Sequence, residues 1–198
     1  MNKEILFFEE SLFLSAAEKE DLLDIKFLCD DAVGKDLYSL SDLEDAIDDE
    51  DKFLYILKDK GHSLIGYIYF KIEDKEKMHD EIQLSFKEEE ILKMKSEKVG
   101  KLQSIGLKTG FRGKGFSEKL IEFFLSILKS LDIDMAYAVC WKKGDYVPLQ
   151  KAMEATGFVY LKEEKEFWYN NSRLYCPFCK GRCHCDAEIY YKKLEMKL

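Results

Sequence analysis

The chain is short of the residues that loosen a polypeptide or carry it through a membrane. Its 198 residues include only 2 prolines and 11 glycines, too little material for long flexible linkers. Apolar runs are brief. Leu64–Phe70 is among the longest, far below the roughly 20 residues a bilayer-spanning helix needs, so no membrane segment is expected. The opening residues Met1-Asn2-Lys3-Glu4 lack the n-region and cleavage site of a secretory signal. Basic charge is also in deficit: 31 Lys and Arg against 39 Asp and Glu leave a net charge of −8. That balance argues against a nucleic-acid partner, because phosphate backbones demand a basic face. It keeps a protein soluble and leaves room for cationic small molecules. With no export signal, the 6 cysteines point to a reducing, cytoplasmic compartment, where clustered cysteines hold metal more often than they form disulfides.

What is present is core material. Apolar residues make up 46% of the chain and aromatic residues 14%, enough for a single packed domain over residues 1–198. Ile5–Leu14 reads as a first strand, and Ser15-Ala16-Ala17-Glu18 as a capping box. Behind it Leu22, Ile25, Leu28, Cys29 and Ala32 form one stripe at helical spacing. Ser41-Asp42-Leu43-Glu44 repeats the cap for a short second helix. Phe53–Leu57 and Ser63–Phe70 flank Asp59-Lys60-Gly61 as a hairpin. Between residues 72 and 98 two patterns compete: Ile82, Leu84 and Phe86 alternate like a strand, while Ser85–Lys95 has the composition of a charged helix. Lys101–Lys108 and Met135–Cys140 read as strands around a helix whose apolar face is Leu120, Phe124, Ile127, Leu128 and Leu131. Val147–Thr156 reads as a helix closed by Gly157, and Phe158–Tyr169 and Ala187–Leu194 as the last two strands.

Phe111-Arg112-Gly113-Lys114-Gly115-Phe116-Ser117 joins a strand to the strongest helix. Free amides and the positive end of a helix dipole converge there, and glycines let a bulky phosphate approach the main chain. Arg112 and Lys114 add charge from the flanks. An ordinary basic turn is the competing reading.

Gln103–Leu120, QSIGLKTGFRGKGFSEKL, resembles the acetyl-CoA motif of the GNAT acetyltransferases, Gln/Arg-x-x-Gly-x-Gly/Ala, read here as Arg112, Gly115 and Ser117, with serine replacing the usual small Gly/Ala. Pro148–Phe158, PLQKAMEATGF, resembles the family's second motif, a helix ending in Gly-Phe before a strand. The resemblance implies a GNAT fold of the α/β (α+β) class, a mixed and mostly antiparallel sheet with splayed central parallel strands flanked by helices. It implies acetyl-CoA as co-substrate, with the amides of Arg112, Gly113, Lys114, Gly115, Phe116 and Ser117 on the pyrophosphate. The main chain at Ile105, Leu107 and Thr109 would pair with the pantetheine arm like an added strand. An amide near Ile105–Leu107 would polarise the thioester carbonyl. The acceptor would be a small-molecule or peptide amine, and the resemblance leaves room for a homodimer. Further departures from the pattern fall on the catalytic groups. Gln103 stands where many members carry a glutamate base, and Met153 where many carry a tyrosine acid. Tyr146 takes the place of an asparagine and is the candidate acid; a packing role competes. His62 and His79 read as surface residues.

Cys176, Cys179, Cys183 and Cys185 have the spacing C-x2-C-x3-C-x-C. Four thiolates so close can converge on a tetrahedral Zn2+ at about 2.3 Å, and with no open position the metal would be structural. An iron–sulfur cluster uses the same ligands. His184 is a further ligand candidate, whereas Cys29 and Cys140 read as core. The knuckle at 176–185 should staple the loop between the last two strands and stiffen one wall of the acceptor site; a clip remote from that site is the alternative. Three functions follow in order: an N-acetyltransferase, a CoA-binding or zinc-knuckle interaction module without turnover, and a nucleic-acid-binding zinc protein resting on Lys180 and Arg182.

Overall fold

The computed structural model describes residues 6–9 and 12–195. Eight strands form one sheet: β1 (Leu6–Glu9), β2 (Leu12–Ala16), β3 (Lys52–Asp59), β4 (Leu64–Asp74), β5 (Lys98–Leu107), β6 (Met135–Lys142), β7 (Val159–Glu164) and β8 (Asp186–Lys193). Their spatial order is β1-β2-β3-β4-β5-β6-β8-β7. Every neighbouring pair is antiparallel except β5 and β6, which run parallel. The helices are α1 (Leu22–Ala32), α2 (Leu40–Asp48), α3 (Lys75–Ile82), α4 (Phe86–Leu92), α5 (Phe116–Ser130) and α6 (Gln150–Ala155). This is the mixed, mostly antiparallel sheet with one central parallel pair that the sequence led us to expect.

The helices cover both faces of the sheet. Leu120, Phe124 and Leu128 of α5 and Met153 of α6 bury against Phe70, Leu102, Ala136 and Ala138. On the opposite face α1 and α2 pack on Leu54, Ile56, Tyr67 and Tyr69, while Met78 and Ile82 of α3 meet Val99, Met135 and Tyr137. Gly100 sets the approach of α5, because a Cβ there would lie 2.3 Å from Leu128 Cδ1.

Local signals were displaced where tertiary pairing outweighed them. The single strand expected over Ile5–Leu14 is a hairpin of β1 and β2; Ile5, Glu10 and Ser11 lie outside the described residues. The capping box expected at Ser15–Glu18 does not form, because Ser15 and Ala16 pair with Ile56 and Tyr55 of β3. The turn ahead of α1 starts instead at Glu18, whose N–H donates to Asp21 Oδ2 at 3.0 Å. The second helix is capped by Ser39 rather than Ser41: Asp42 N–H donates to Ser39 Oγ at 3.1 Å, and Ser39 N–H returns to Asp42 Oδ2 at 2.8 Å. That start turns Leu43 and Ala46 into the core.

The alternation of Ile82, Leu84 and Phe86 spans a junction between two helices and is not a strand. Gln83 ends α3 in the left-handed region at φ 45°, and Ser85 caps α4, so the charged-helix reading of this stretch holds. The helix expected over Val147–Thr156 is helical only from Gln150 to Ala155, with Gly157 following at φ 76°. The strand expected over Phe158–Tyr169 runs only from Val159 to Glu164.

One irregularity governs the site. Tyr69 pairs with Ser104 and Phe70 with Leu102, so Gln103 is an extra residue on β5. Such a bulge reverses which face alternate side chains occupy and turns local N–H and C=O groups off the ladder.

Candidate active site and cysteine centre

The parallel pairing of β5 with β6 covers three positions only: Gly100 with Ala136, Lys101 with Tyr137 and Leu102 with Ala138. Beyond Leu102 the strands part, and β6 pairs on its other side with β8 as far as Lys142. The bulge at Gln103 coincides with the parting. From there to Leu107, the edge of β5 that faces β6 has no strand partner among the described residues. Ile105 and Leu107 are buried in the core, and their main chain lies on the edge that β6 leaves unpaired.

The glycine turn follows directly. Thr109–Phe111 is a short 3-10 turn, and Arg112 donates from Nε to the Leu107 carbonyl at 2.8 Å. Its guanidinium also reaches Asp31 at 3.4 Å, and its own N–H is used by the Thr109 carbonyl at 3.3 Å. The amides of Gly113, Lys114, Gly115 and Ser117 have no backbone partner among the described residues. Gly113 and Gly115 hold φ of 71° and 81°, a region costly for residues with a Cβ. Gly115 is the N-cap of α5, and a Cβ at Gly113 would meet nothing within 4 Å. The turn therefore offers open donors at the positive end of a 15-residue helix. Phe116 tucks under the turn, its ring 6.2 Å from that of Phe111.

A cavity of about 480 Å³ opens where β5 and β6 part, with Leu102, Gln103, Ser104 and Ile105 on one side and Val139, Cys140 and Trp141 on the other. The opposite face contributes Tyr38 just before α2, Asp42 of α2, Tyr69 of β4, and Glu81 of α3. Phe167, Trp168, Arg173 and Leu174, from the segment between β7 and β8, close the remaining wall. The Tyr38 ring meets Tyr69 edge-on at 5.4 Å. Burial pushes the Tyr69 hydroxyl up to about 12, so it stays protonated. Tyr146 lies in the turn after β6, with main-chain hydrogen bonds to Lys143, and is 62% exposed. Pro148 and Leu149, which do line the cavity, follow it closely. Met153 is fully buried in the core and offers no proton donor. His62 sits at φ 62° in the β3–β4 turn, and His79 faces Glu89 at 3.5 Å. Neither lines the cavity.

The cysteine cluster lies between β7 and β8 in the chain, as the sequence suggested. The four Sγ atoms of Cys176, Cys179, Cys183 and Cys185 are within 4.8 Å of one another. Cys185 Sγ is 3.8 Å from Cys176 Sγ and 3.7 Å from Cys179 Sγ. A tetrahedral metal with sulfur bonds of about 2.3 Å requires sulfur–sulfur edges of about 3.8 Å, so the donor set fits. The Cys179 N–H points at Cys176 Sγ and the His184 N–H at Cys179 Sγ, both at 3.4 Å, an arrangement that favours thiolates. The His184 ring turns away to Glu166, 2.7 Å from Nδ1, and is not a fifth ligand. Cys29 and Cys140 are buried in the core, as expected. The cluster packs on Leu37, Trp141, Trp168 and Leu174, and all four also line the cavity. Tyr175 N–H donates to the Lys35 carbonyl at 2.9 Å, tying this segment to the end of α1.

Sequence reasoning found the turn and the cysteines but missed most of the cavity lining. Glu81 and Lys101 lie in or beside the stretch whose pattern was ambiguous, and Tyr38, Trp141 and Trp168 carry no local signature. No helix among the described residues is long and apolar enough to cross a membrane. No curated protein matches the sequence significantly. Solved structures do. NAA60 of Arabidopsis thaliana, in complex with acetyl-CoA, superposes with a TM-score of 0.72 at 13% identity, over 92% of this chain and 98% of that one. The ribosomal-protein-S18-alanine N-acetyltransferase of Escherichia coli gives 0.64 at 12% identity, over 94% and 96%. A variant of the spermidine N-acetyltransferase SpeG of Vibrio cholerae gives 0.61 at 19% identity, over 93% and 95%. Residues 19–158, which hold the parted strands and the glycine turn, match the acetyltransferase (GNAT) family, and the chain belongs to that family of acyl-transferring enzymes.

Proposed function

We propose that this enzyme transfers an acetyl group from acetyl-CoA to a primary amine by direct attack on the thioester. The carrying observation is the gap between β5 and β6, which opens onto unpaired amides at Gly113, Lys114, Gly115 and Ser117. In this reading the turn from Arg112 to Ser117 grips the pyrophosphate, with Arg112 contributing its position more than its amide. The main chain of Ile105, Leu107 and Thr109 pairs with the pantetheine arm as an added strand. The thioester carbonyl then lies by the bulge, where an N–H released from the ladder stabilises the developing oxyanion.

The acceptor enters the cavity from the side of α2 and the cysteine segment. Its aromatic walls and the carboxylates of Asp42, Asp45 and Glu81 suit a cationic amine, free or at the end of a peptide. Enzymes for both kinds of acceptor share the fold. Tyr146, on the exposed turn that leads into Pro148 and Leu149 of the cavity wall, is the proposed donor to the departing thiolate. Zn2+ held by Cys176, Cys179, Cys183 and Cys185 would be structural, because four protein ligands leave no position for water. Through Trp141, Trp168 and Leu174 it would stiffen the acceptor wall.

The test mixes protein, acetyl-CoA and a panel of primary amines and follows thiol release. Release that depends on the amine, with an acetylated product of matching mass, supports the reading. Binding of CoA without release across the panel overturns it.

A further inference from the structure

Gln103 stands where a base would be convenient, and an amide cannot take a proton from an ammonium ion. An acceptor amine arrives charged at neutral pH, so some other group must remove that proton before attack. The carboxylates on the cavity wall differ in their position and in their partners. Asp42 is engaged by Arg173 at 3.1 Å, and Asp45 lies exposed on α2. Glu81 comes from α3, on another wall, and is held against Lys101 of the parallel ladder.

Its surroundings are unusual for a surface helix. One carboxylate oxygen of Glu81 accepts from Lys101 Nζ, and the other accepts from the Tyr137 hydroxyl at 3.1 Å. Lys101 and Tyr137 face each other across the middle pair of the parallel ladder, one residue before it ends. They share a sheet face, with Lys101 Nζ 5.8 Å from the Tyr137 ring centre. The Tyr137 hydroxyl also contacts Glu73, which pairs with Lys71 at 2.5 Å. Lys101 and Glu73 are only 8% and 7% exposed. Two carboxylates, two ammonium groups and one phenol thus form a closed, charge-balanced cluster, with Glu81 as the carboxylate that opens onto the cavity. These are the titratable groups facing Glu81 from β4, β5 and β6; on its own helix His79 turns to Glu89.

We propose that Glu81 is the general base of this acetyltransferase, taking the proton of the acceptor ammonium directly or through one water. The inference rests on the transferase reading above. The neutral amine's lone pair then forms the C–N bond to the thioester carbon, and the tetrahedral intermediate expels the CoA thiolate as the C–S bond breaks. The second amine proton leaves with the thiol, and the proton on Glu81 returns to solvent. The sum is ammonium plus acetyl-CoA giving amide, CoA thiol and one proton. Burial pushes Lys101 below the ordinary lysine value, with Glu81 working against that shift. Once Glu81 is neutralised, Lys101 therefore gives up its own proton more readily, which helps clear the site. Burial and the two carboxylates keep Tyr137 protonated, so it serves to position the carboxylate.

The test compares Glu81→Gln, Glu81→Asp and the double variant Glu81→Gln with Gln103→Glu against the unaltered protein. Either spermidine or a peptide with a free N-terminus serves as acceptor, whichever is turned over faster. Calorimetry with CoA, unchanged in each variant, certifies folding. Glu81→Gln should lower turnover about 100-fold or more with little change in KM for acetyl-CoA, and should remove the acidic limb of the pH profile. Glu81→Asp should keep that limb at reduced rate, and Gln103→Glu should restore part of the loss. A Glu81→Gln variant that binds CoA and keeps both the turnover and the pH profile of its parent overturns the assignment. Where the unaltered protein turns over neither, the best acceptor of the amine panel takes their place, and failure across that panel overturns the transferase reading instead, and the base with it.

Discussion

Replacing Gly115 separates two reasons for a glycine. At φ 81° a side chain is strained by the backbone alone, and a Cβ there would meet only Glu118 Oε2 at 3.9 Å. Gly115→Ala therefore pays no steric penalty in the free protein, and its cost is conformational, about 1–2 kcal/mol. In a chain of 198 residues that corresponds to a fall of about 2–8 °C in the thermal midpoint. Gly115→Asn should lose much less, since asparagine tolerates the left-handed region. Binding should not follow the same order. Either side chain stands in front of amides assigned to the pyrophosphate, and losing one charge-assisted hydrogen bond, about 1.5–3 kcal/mol, weakens affinity about tenfold or more. Thermal melts and calorimetry with CoA on the three proteins decide the matter. If Gly115→Asn melts near the parent and also binds CoA as tightly, the glycine serves only the turn and the pyrophosphate lies elsewhere.

The remaining predictions concern the metal, the acid and the core. A strong chelator should lower the melting temperature and raise KM for the amine more than for acetyl-CoA; unchanged melting and kinetics would put the cysteine clip out of touch with the cavity. Tyr146→Phe should lower turnover about 100-fold with the thermal midpoint unmoved, as fits a donor on an exposed turn, and an unchanged rate removes it from the chemistry. Gly100→Ala should destabilise by about 1–3 kcal/mol in a denaturant titration, because Leu128 must move or α5 must lift; a value near zero would mean that the helix yields freely.

The turn and the cysteine cluster were legible because each depends on residues adjacent in the chain. Glycines at 113 and 115 mark positive φ, and a C-x2-C arm carries its own ligand geometry. The helix α5 was legible for a similar reason, its stripe being complete within one element. The cavity was not, because its walls come from α2, α3, β4, β5, β6 and the segment before β8. The ambiguity over residues 72–98 hid the most informative of these. Ile82 and Leu84 belong to the end of one helix and the link to the next, and a short window cannot tell that from a strand. The bulge at Gln103 escaped detection for a different reason. An inserted residue preserves composition and changes only phase, so Lys101 and Ser104 point to one side although their numbers differ by an odd count.

A sheet held at its middle by three pairs of residues is mechanically two ribbons, one from β1 to β5 and one from β6 to β8. Each ribbon is antiparallel within itself and can withstand fluctuation alone, while the seam between them has few rungs to lose. A ligand that lies along the seam and lends rungs to it acts as a suture. Amide hydrogens bordering the seam should exchange much more slowly with acetyl-CoA bound, and those in the centre of either ribbon should scarcely notice. The substrate would then complete the sheet that binds it, and release of CoA would be the moment at which the sheet comes partly undone.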